Sequence, residues 1–79
     1  MVTILNRRRH GFDVVIYTND HGPAHVHVFR GRNKLKAELQ PVRIVYSRGF
    51  NSRERRRIRA LLEEHHTLLL REWTRLHIK

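Results

Sequence analysis

The sequence predicts an α+β fold: a small antiparallel sheet of three to four strands with one long C-terminal helix packed on one face. Three observations carry that expectation. The hydrophobic period changes once, from alternation over residues 13 to 46 to helical spacing after Asn51. Clusters of turn formers, Thr18-Asn19-Asp20-His21-Gly22-Pro23 and Gly31-Arg32-Asn33, separate short runs rich in Val, Ile and Tyr. A single apolar stripe then runs from Ile58 to Leu76. Residues 1–79 are read as a single domain, a β-meander over 1–48 and an amphipathic helix over 51–77.

Met1 to Asn6 is a short apolar stretch that runs into Arg7-Arg8-Arg9-His10, and that basic run before Gly11 reads as a solvated turn or a phosphate-facing arm. The first strand is expected over Phe12 to Thr18. The second, His25 to Arg30, alternates sharply: Val26 and Val28 point one way, His25, His27 and Phe29 the other. The short turn at Gly31-Arg32-Asn33 pairs it as a hairpin with a third strand, Lys34 to Gln40. There Leu35, Ala37 and Leu39 share the core face with Val26 and Val28, while Lys34, Lys36 and Glu38 lie opposite with the histidines. Val42 to Ser47, after Pro41, is a shorter fourth strand.

For the helix, Asn51 supplies an N-cap and Glu54, three residues on, its capping-box partner. Ile58, Leu61, Leu62, His65, Leu69, Trp73 and Leu76 fall on one stripe at three- and four-residue spacing, facing the Val/Leu side of the sheet. On that stripe His65 reads as a core or rim histidine, and Trp73 as a core anchor rather than a base-stacking platform.

Composition bounds the chemistry. A chain of 79 residues buries only about 60% of its unfolded surface, so its margin is thin. The chain has no cysteine, which excludes disulfide staples and thiolate zinc sites and fits a reducing cytoplasm. The N-terminal apolar stretch is far shorter than an export signal, and no apolar run is long enough to span a membrane. Lys and Arg number 17 against 7 acidic residues, a formal charge of +10. Ordinary domains of this size carry a net charge of about 2–8 in magnitude. Arginine dominates, and its planar guanidinium suits phosphate, so the expected partner is a polyanion, RNA before DNA. The candidate contacts are Arg7, Arg8, Arg9, Arg30, Arg32, Lys34, Lys36, Arg53, Arg55 and Arg56. The arginines crowding the start of the helix oppose its dipole, which makes sense if an anion binds there; a merely solvated basic face is the alternative.

The segment Asp20-His21-Gly22-Pro23-Ala24-His25-Val26-His27 gathers three histidines and a carboxylate. Strand alternation places His25 and His27 on one face with Cβ atoms about 7 Å apart. Three readings stand side by side. His21, His25 and His27 could act as acid and base on an RNA phosphodiester, with Arg30 or Lys36 steadying the charge. The two strand histidines at i and i+2, with a third imidazole or a carboxylate, could instead bind zinc, copper or nickel; the His-x-His lacks the later Glu of the cupin pattern, which excludes that family. Or the residues could be structural, with Asp20 closing a turn. No cofactor is implied, and the catalytic candidates are His21, His25 and His27.

Asp20-His21-x-Pro23-Ala24-His25-Val26-His27-Val28-Phe29 resembles the signature of a small bacterial family described as domain of unknown function 4160. The strand ending in Tyr17, the loop Gly49-Phe50-Asn51, and the closing pattern from Glu64 through Leu70 to Trp73 and His77 are similar to it as well, over nearly the whole chain. His65-His66 replaces a more usual Asn-Arg type pair, and the arginine load is heavier than in many members. The resemblance implies a tiny protein encoded beside another small gene, an arrangement like a toxin–antitoxin pair, and carries no catalytic residues.

The expected function is therefore that of a basic, cytoplasmic nucleic-acid-binding protein, the toxin-like half of a bacterial pair, able to cleave RNA by histidine chemistry and neutralised by an acidic small partner. A non-catalytic DNA- or RNA-binding regulator and a histidine-based metal-binding domain are the alternatives. With one helix there is no helix-turn-helix. The free edges of so small a sheet leave room for a homodimer.

Overall fold

The computed structural model describes residues 1–78 of the chain. Alternating side chains in mid-sequence decide where the interior lies. Val26 and Val28 of β3 (His25–Arg30) stand opposite Ala37 and Leu35 of β4 (Asn33–Leu39), and all four, with Leu39, are fully buried. The face expected to be the core is the face that the protein buries. β2 (Asp13–Ile16) lies along the other side of β3, with Val14 opposite Val28, and β5 (Val42–Arg48) lies beyond β4. β1 (Val2–Leu5) completes the sheet next to β2, so the order follows the chain, β1-β2-β3-β4-β5, and every pair is antiparallel.

The expected sheet of three to four strands with one long C-terminal helix is corrected on both counts. There are five strands because Val2–Leu5, which four residues of weak alternation left unassigned, pairs along β2, Val2 with Ile16 and Leu5 with Val14. The basic run that follows is one turn of helix, α1 (Arg7–His10), rather than a loop. Its signals are local: the Asn6 side chain accepts the Arg9 N–H at 2.9 Å, Asp13 Oδ1 accepts the Arg7 N–H at 2.7 Å, and Gly11 closes the turn at φ 88°.

The single helix divides into α2 (Ser52–Glu64) and α3 (His66–His77), with His65 between them at φ −104°, ψ 21°. Length supplies the reason. A straight helix over 51–77 would run about 40 Å, whereas strands of six or seven residues span about 20–24 Å. Two helices of about 18–20 Å each fit over the sheet where one would overhang it. At the break, His66 Nε2–H donates to the Leu39 carbonyl, and the His65 ring meets His10 of α1 edge-on with centroids 5.1 Å apart.

The capping box forms as expected: Asn51 Oδ1 accepts the Glu54 N–H at 2.8 Å and Glu54 Oε1 accepts the Asn51 N–H at 2.9 Å. Ile58 and Leu62 of α2 and Leu69 of α3 then bury completely against the Val/Leu face, together with Phe12 and Phe50, which meet edge-on at 5.7 Å. Each such side chain contributes about 1.5–3 kcal/mol. Trp73 and Leu76 pack against this core while remaining partly exposed. Among the described residues no helix is long and apolar enough to cross a membrane.

Candidate functional site

The loop from β2 to β3 turns back on itself, with the Asp20 N–H donating to the Tyr17 carbonyl at 3.2 Å. That fold-back lays the Asp20 carboxylate over the first residues of β3. One oxygen, Oδ2, lies 2.7 Å from His25 Nε2 and 3.2 Å from His27 Nε2. The two imidazoles meet edge-on with centroids 5.3 Å apart. The i, i+2 spacing of the strand makes this possible, since it stacks both rings on the side from which the loop returns.

Counting protons constrains His25. Its Nδ1 lies 2.9 Å from the Pro23 carbonyl oxygen, which can only accept, so Nδ1 carries a hydrogen. Its Nε2 faces a carboxylate oxygen, which also accepts. A neutral imidazole has one N–H, so the short Nε2–Oδ2 contact requires a second positive species between them, either a proton or a metal ion. The hydrogen bond from His25 holds the Asp20 carboxyl below the usual carboxylate range, against a partial opposing effect of burial. Burial lowers His27 below the ordinary imidazole value, so His27 meets Asp20 as a neutral Nε2–H donor.

The sequence placed His25 and His27 together on an open face beside Lys34 and Lys36. They are together, but that face is not open at His25, which is only 5% exposed. Trp73 of α3 lies against it, ring centroids 5.0 Å apart. Tyr17 meets His27 edge-on at 4.7 Å, and Phe29 lies parallel to it at 6.4 Å. His21 stands apart, exposed on the loop, and contributes to the wall of an adjoining cavity of about 480 Å³ that also includes Thr18, Asn19, Asp20, Trp73 and His77.

Three members of this site lie outside the catalytic candidates His21, His25 and His27, although a carboxylate such as Asp20 belongs to the metal reading of the segment. Asp20 binds both histidines, and its signal was the Asp-x4-His-x-His spacing. Trp73 and His77 share one helix face at i, i+4 and stack at 3.8 Å, with His77 Nδ1–H donating to the Trp73 carbonyl at 2.7 Å. His77 Nε2 is buried and has no hydrogen-bond partner among the described residues.

The candidate cationic residues separate into two surfaces. On the helical side, Arg7, Arg8 and Arg9 are exposed on α1, and Arg53 and Arg56 on α2. Arg57 joins them, its guanidinium 5.7 Å from the Phe12 ring, with Arg30 5.2 Å from the same ring. On the sheet side, Lys34 pairs across the ladder with Arg48, and Lys36 with Tyr46, while Arg32 is exposed at the β3–β4 turn. Arg30 is bound to Glu54 at 2.5 Å, and Arg55 donates to the Phe50 carbonyl at 2.7 Å. At the start of α2 the Asn51–Glu54 box satisfies the Asn51 and Glu54 N–H groups, and the arginines of α2 are spread along Arg53 to Arg59 rather than confined to its first turn.

No curated protein and no solved structure matches the chain. A family model described as Domain of unknown function (DUF4160) matches residues 11–74. The match takes in the Asp20 loop, β2 to β5, α2 and Trp73. A chain that carries the Asp20–His25–His27 arrangement inside so long a match belongs to the DUF4160 family.

Proposed function

We propose that the protein binds nucleic acid, RNA before DNA, through the arginine surface of α1 and α2. One observation carries the reading. Of the fourteen arginines, only Arg30, Arg43 and Arg75 are paired with a carboxylate among the described residues. The others have no carboxylate partner among the described residues, and on α2 they follow one another as Arg53, Arg55, Arg56, Arg57 and Arg59, with Arg7 to Arg9 on α1. Like charges so close repel, and a polyanion relieves that repulsion while releasing its own counterions. α2 and α3 are joined through the single residue His65, without the three- to four-residue turn of a helix-turn-helix. That favours backbone tracking of a single strand over groove reading.

In the same reading the protein is the cytoplasmic, toxin-like half of a bacterial pair, and the acidic small partner competes for the arginine surface. The positive charge and the resemblance of the signature support this. The geometry favours binding over histidine acid–base cleavage: His25 has both ring nitrogens committed and is buried, and among the described residues His21 alone of the three makes no hydrogen bond. Fluorescence anisotropy with a labelled single-stranded 20-mer RNA and its DNA duplex tests the reading. Affinity for the single strand is expected to fall by about 300-fold or more between 50 and 200 mM salt if six or more phosphates are touched. Absence of binding at low salt, or binding indifferent to salt, overturns it.

A further inference from the structure

We propose that Asp20, His25 and His27 form a mononuclear centre for a divalent first-row transition ion, open to the adjoining cavity. Three donor atoms, Asp20 Oδ2, His25 Nε2 and His27 Nε2, all lie within 4.8 Å of one another. They come from a strand and the loop that folds back over it, so the backbone itself holds them in place.

The orientation of His25 is the second argument. Its Nδ1–H donates to the Pro23 carbonyl at 2.9 Å, which directs the lone pair of Nε2 at Asp20. Metal-bound histidines use the same device, one ring nitrogen anchored to a carbonyl so that the other presents its lone pair to the ion. Packing fixes the rings further, with Trp73 against His25 and Tyr17 edge-on to His27.

The two donor separations to Asp20 are close to what a small ion requires. Bonds of about 2.0–2.2 Å to nitrogen and oxygen at tetrahedral angles put donors about 3.3 Å apart. The His27–Asp20 contact is already 3.2 Å, and the His25–Asp20 contact of 2.7 Å needs to widen by about half an ångström, which the loop position of Asp20 permits. Two imidazoles and one carboxylate suit zinc, cobalt, nickel or ferrous iron. Calcium and magnesium, which take oxygen ligands, are disfavoured. Three protein ligands leave a coordination position free, and Asp20 lines the cavity of about 480 Å³ through which water or a ligand would reach it. The same cavity is lined by His77, whose buried Nε2 lone pair has no partner among the described residues.

The centre is independent of the nucleic-acid reading and is tested without nucleic acid. The full chain, purified without a polyhistidine tag and stripped with EDTA, is titrated with Co²⁺ and, in competition, Zn²⁺. One equivalent of Co²⁺ per chain is expected, with a visible d–d spectrum that Zn²⁺ abolishes. His27→Ala and Asp20→Asn should each weaken binding at least about tenfold, since even changes behind the ligands cost that much. His21→Ala should bind as wild type. Far-UV circular dichroism identifies variants that keep the fold, and Asp20→Asn serves if His27→Ala does not. Failure of wild type to take up Co²⁺ overturns the proposal. So does uptake that survives in the folded variants, which would place the ion elsewhere, as at His65 and His66.

Discussion

The indole of Trp73 lies against the imidazole of His25, ring centroids 5.0 Å apart and planes tilted by 50°. Through this contact the last helix is joined to the first residue of β3. Because His25 also holds Asp20, the contact links α3 to the β2–β3 loop as well. Trp73→Ala should therefore loosen two elements at once. Trp73 is only partly buried, so the expected loss is about 2–4 kcal/mol, at and below the range for a fully buried aromatic. A chain of this length has about 4–12 kcal/mol in all, so the loss is a large fraction of the total and shows as a clear shift in urea denaturation beside wild type. Trp73→Phe keeps an aromatic against His25 and should lose less than half as much. Equal losses in the two variants would show that the ring contact is not what anchors α3.

Much of this arrangement was legible in the sequence where side chains alternate against one shared face. Both ends of β3 were readable because Val26 and Val28 flank His27, and β4 followed because Leu35, Ala37 and Leu39 keep the same period. The Asn51–Glu54 box was readable because both partners are local. β1 and α1 were not, since four residues make neither a period of two nor one of 3.6 visible, and what defines them is pairing with Ile16 and Val14 and the bond from Arg7 to Asp13. The break at His65 was hidden for the opposite reason. The apolar stripe runs unbroken from Ile58 to Leu76, and only the length of the sheet, a tertiary property, forces the helix to divide. The histidine pairing was legible from strand spacing, but the burial of His25 was not, because it depends on where α3 goes after that break.

Gly49 is a second position where backbone and packing act together. Its φ is 91°, and a Cβ placed there would lie 2.1 Å from Asn33 Oδ1 and 3.3 Å from Asn33 Cβ. Swinging the Asn33 amide aside would not clear the second contact. Gly49→Ala should cost about 1–3 kcal/mol from backbone strain with steric overlap added. In the Asn33→Gly, Gly49→Ala double variant the steric part should be relieved and the strain kept, giving a favourable coupling in a double-mutant cycle. Strictly additive losses in urea denaturation would count against the contact.

Glu54 serves two partners, and its substitution should reveal this. Oε1 accepts the Asn51 N–H while Oε2 binds Arg30, 2.5 Å away, so the start of α2 is tied to the end of β3. Asn51→Ala removes the cap alone and should cost about 1 kcal/mol. Glu54→Ala should cost more, because it also leaves Arg30 without its carboxylate. Thermal denaturation resolves the difference: for a domain of this size, each 1 kcal/mol moves Tm by about 4–8 °C. A Glu54→Ala shift no larger than that of Asn51→Ala would mean that the bond to Arg30 adds nothing to stability.

The two cationic surfaces make different predictions for RNA binding, and salt dependence separates them. Arg53, Arg56 and Arg59 are exposed on α2, and none is paired with a carboxylate among the described residues. Changing all three to Gln removes like charges from one helix, so stability should hold or rise slightly. Each phosphate contact on a single strand contributes about 0.7 to the slope of log affinity against log salt. The triple variant should therefore bind single-stranded RNA with a slope about two units shallower than wild type. Lys34→Gln with Lys36→Gln, on the opposite face of the sheet, should leave the slope unchanged, because a strand lying along α2 does not reach that face. If the lysine pair lowers the slope and the arginine triple does not, the RNA runs across the sheet beside Tyr46 and Arg48, and the helical surface is left to the acidic partner. A loss of affinity with no change of slope in either variant would mean that these side chains act through the fold and touch no phosphate.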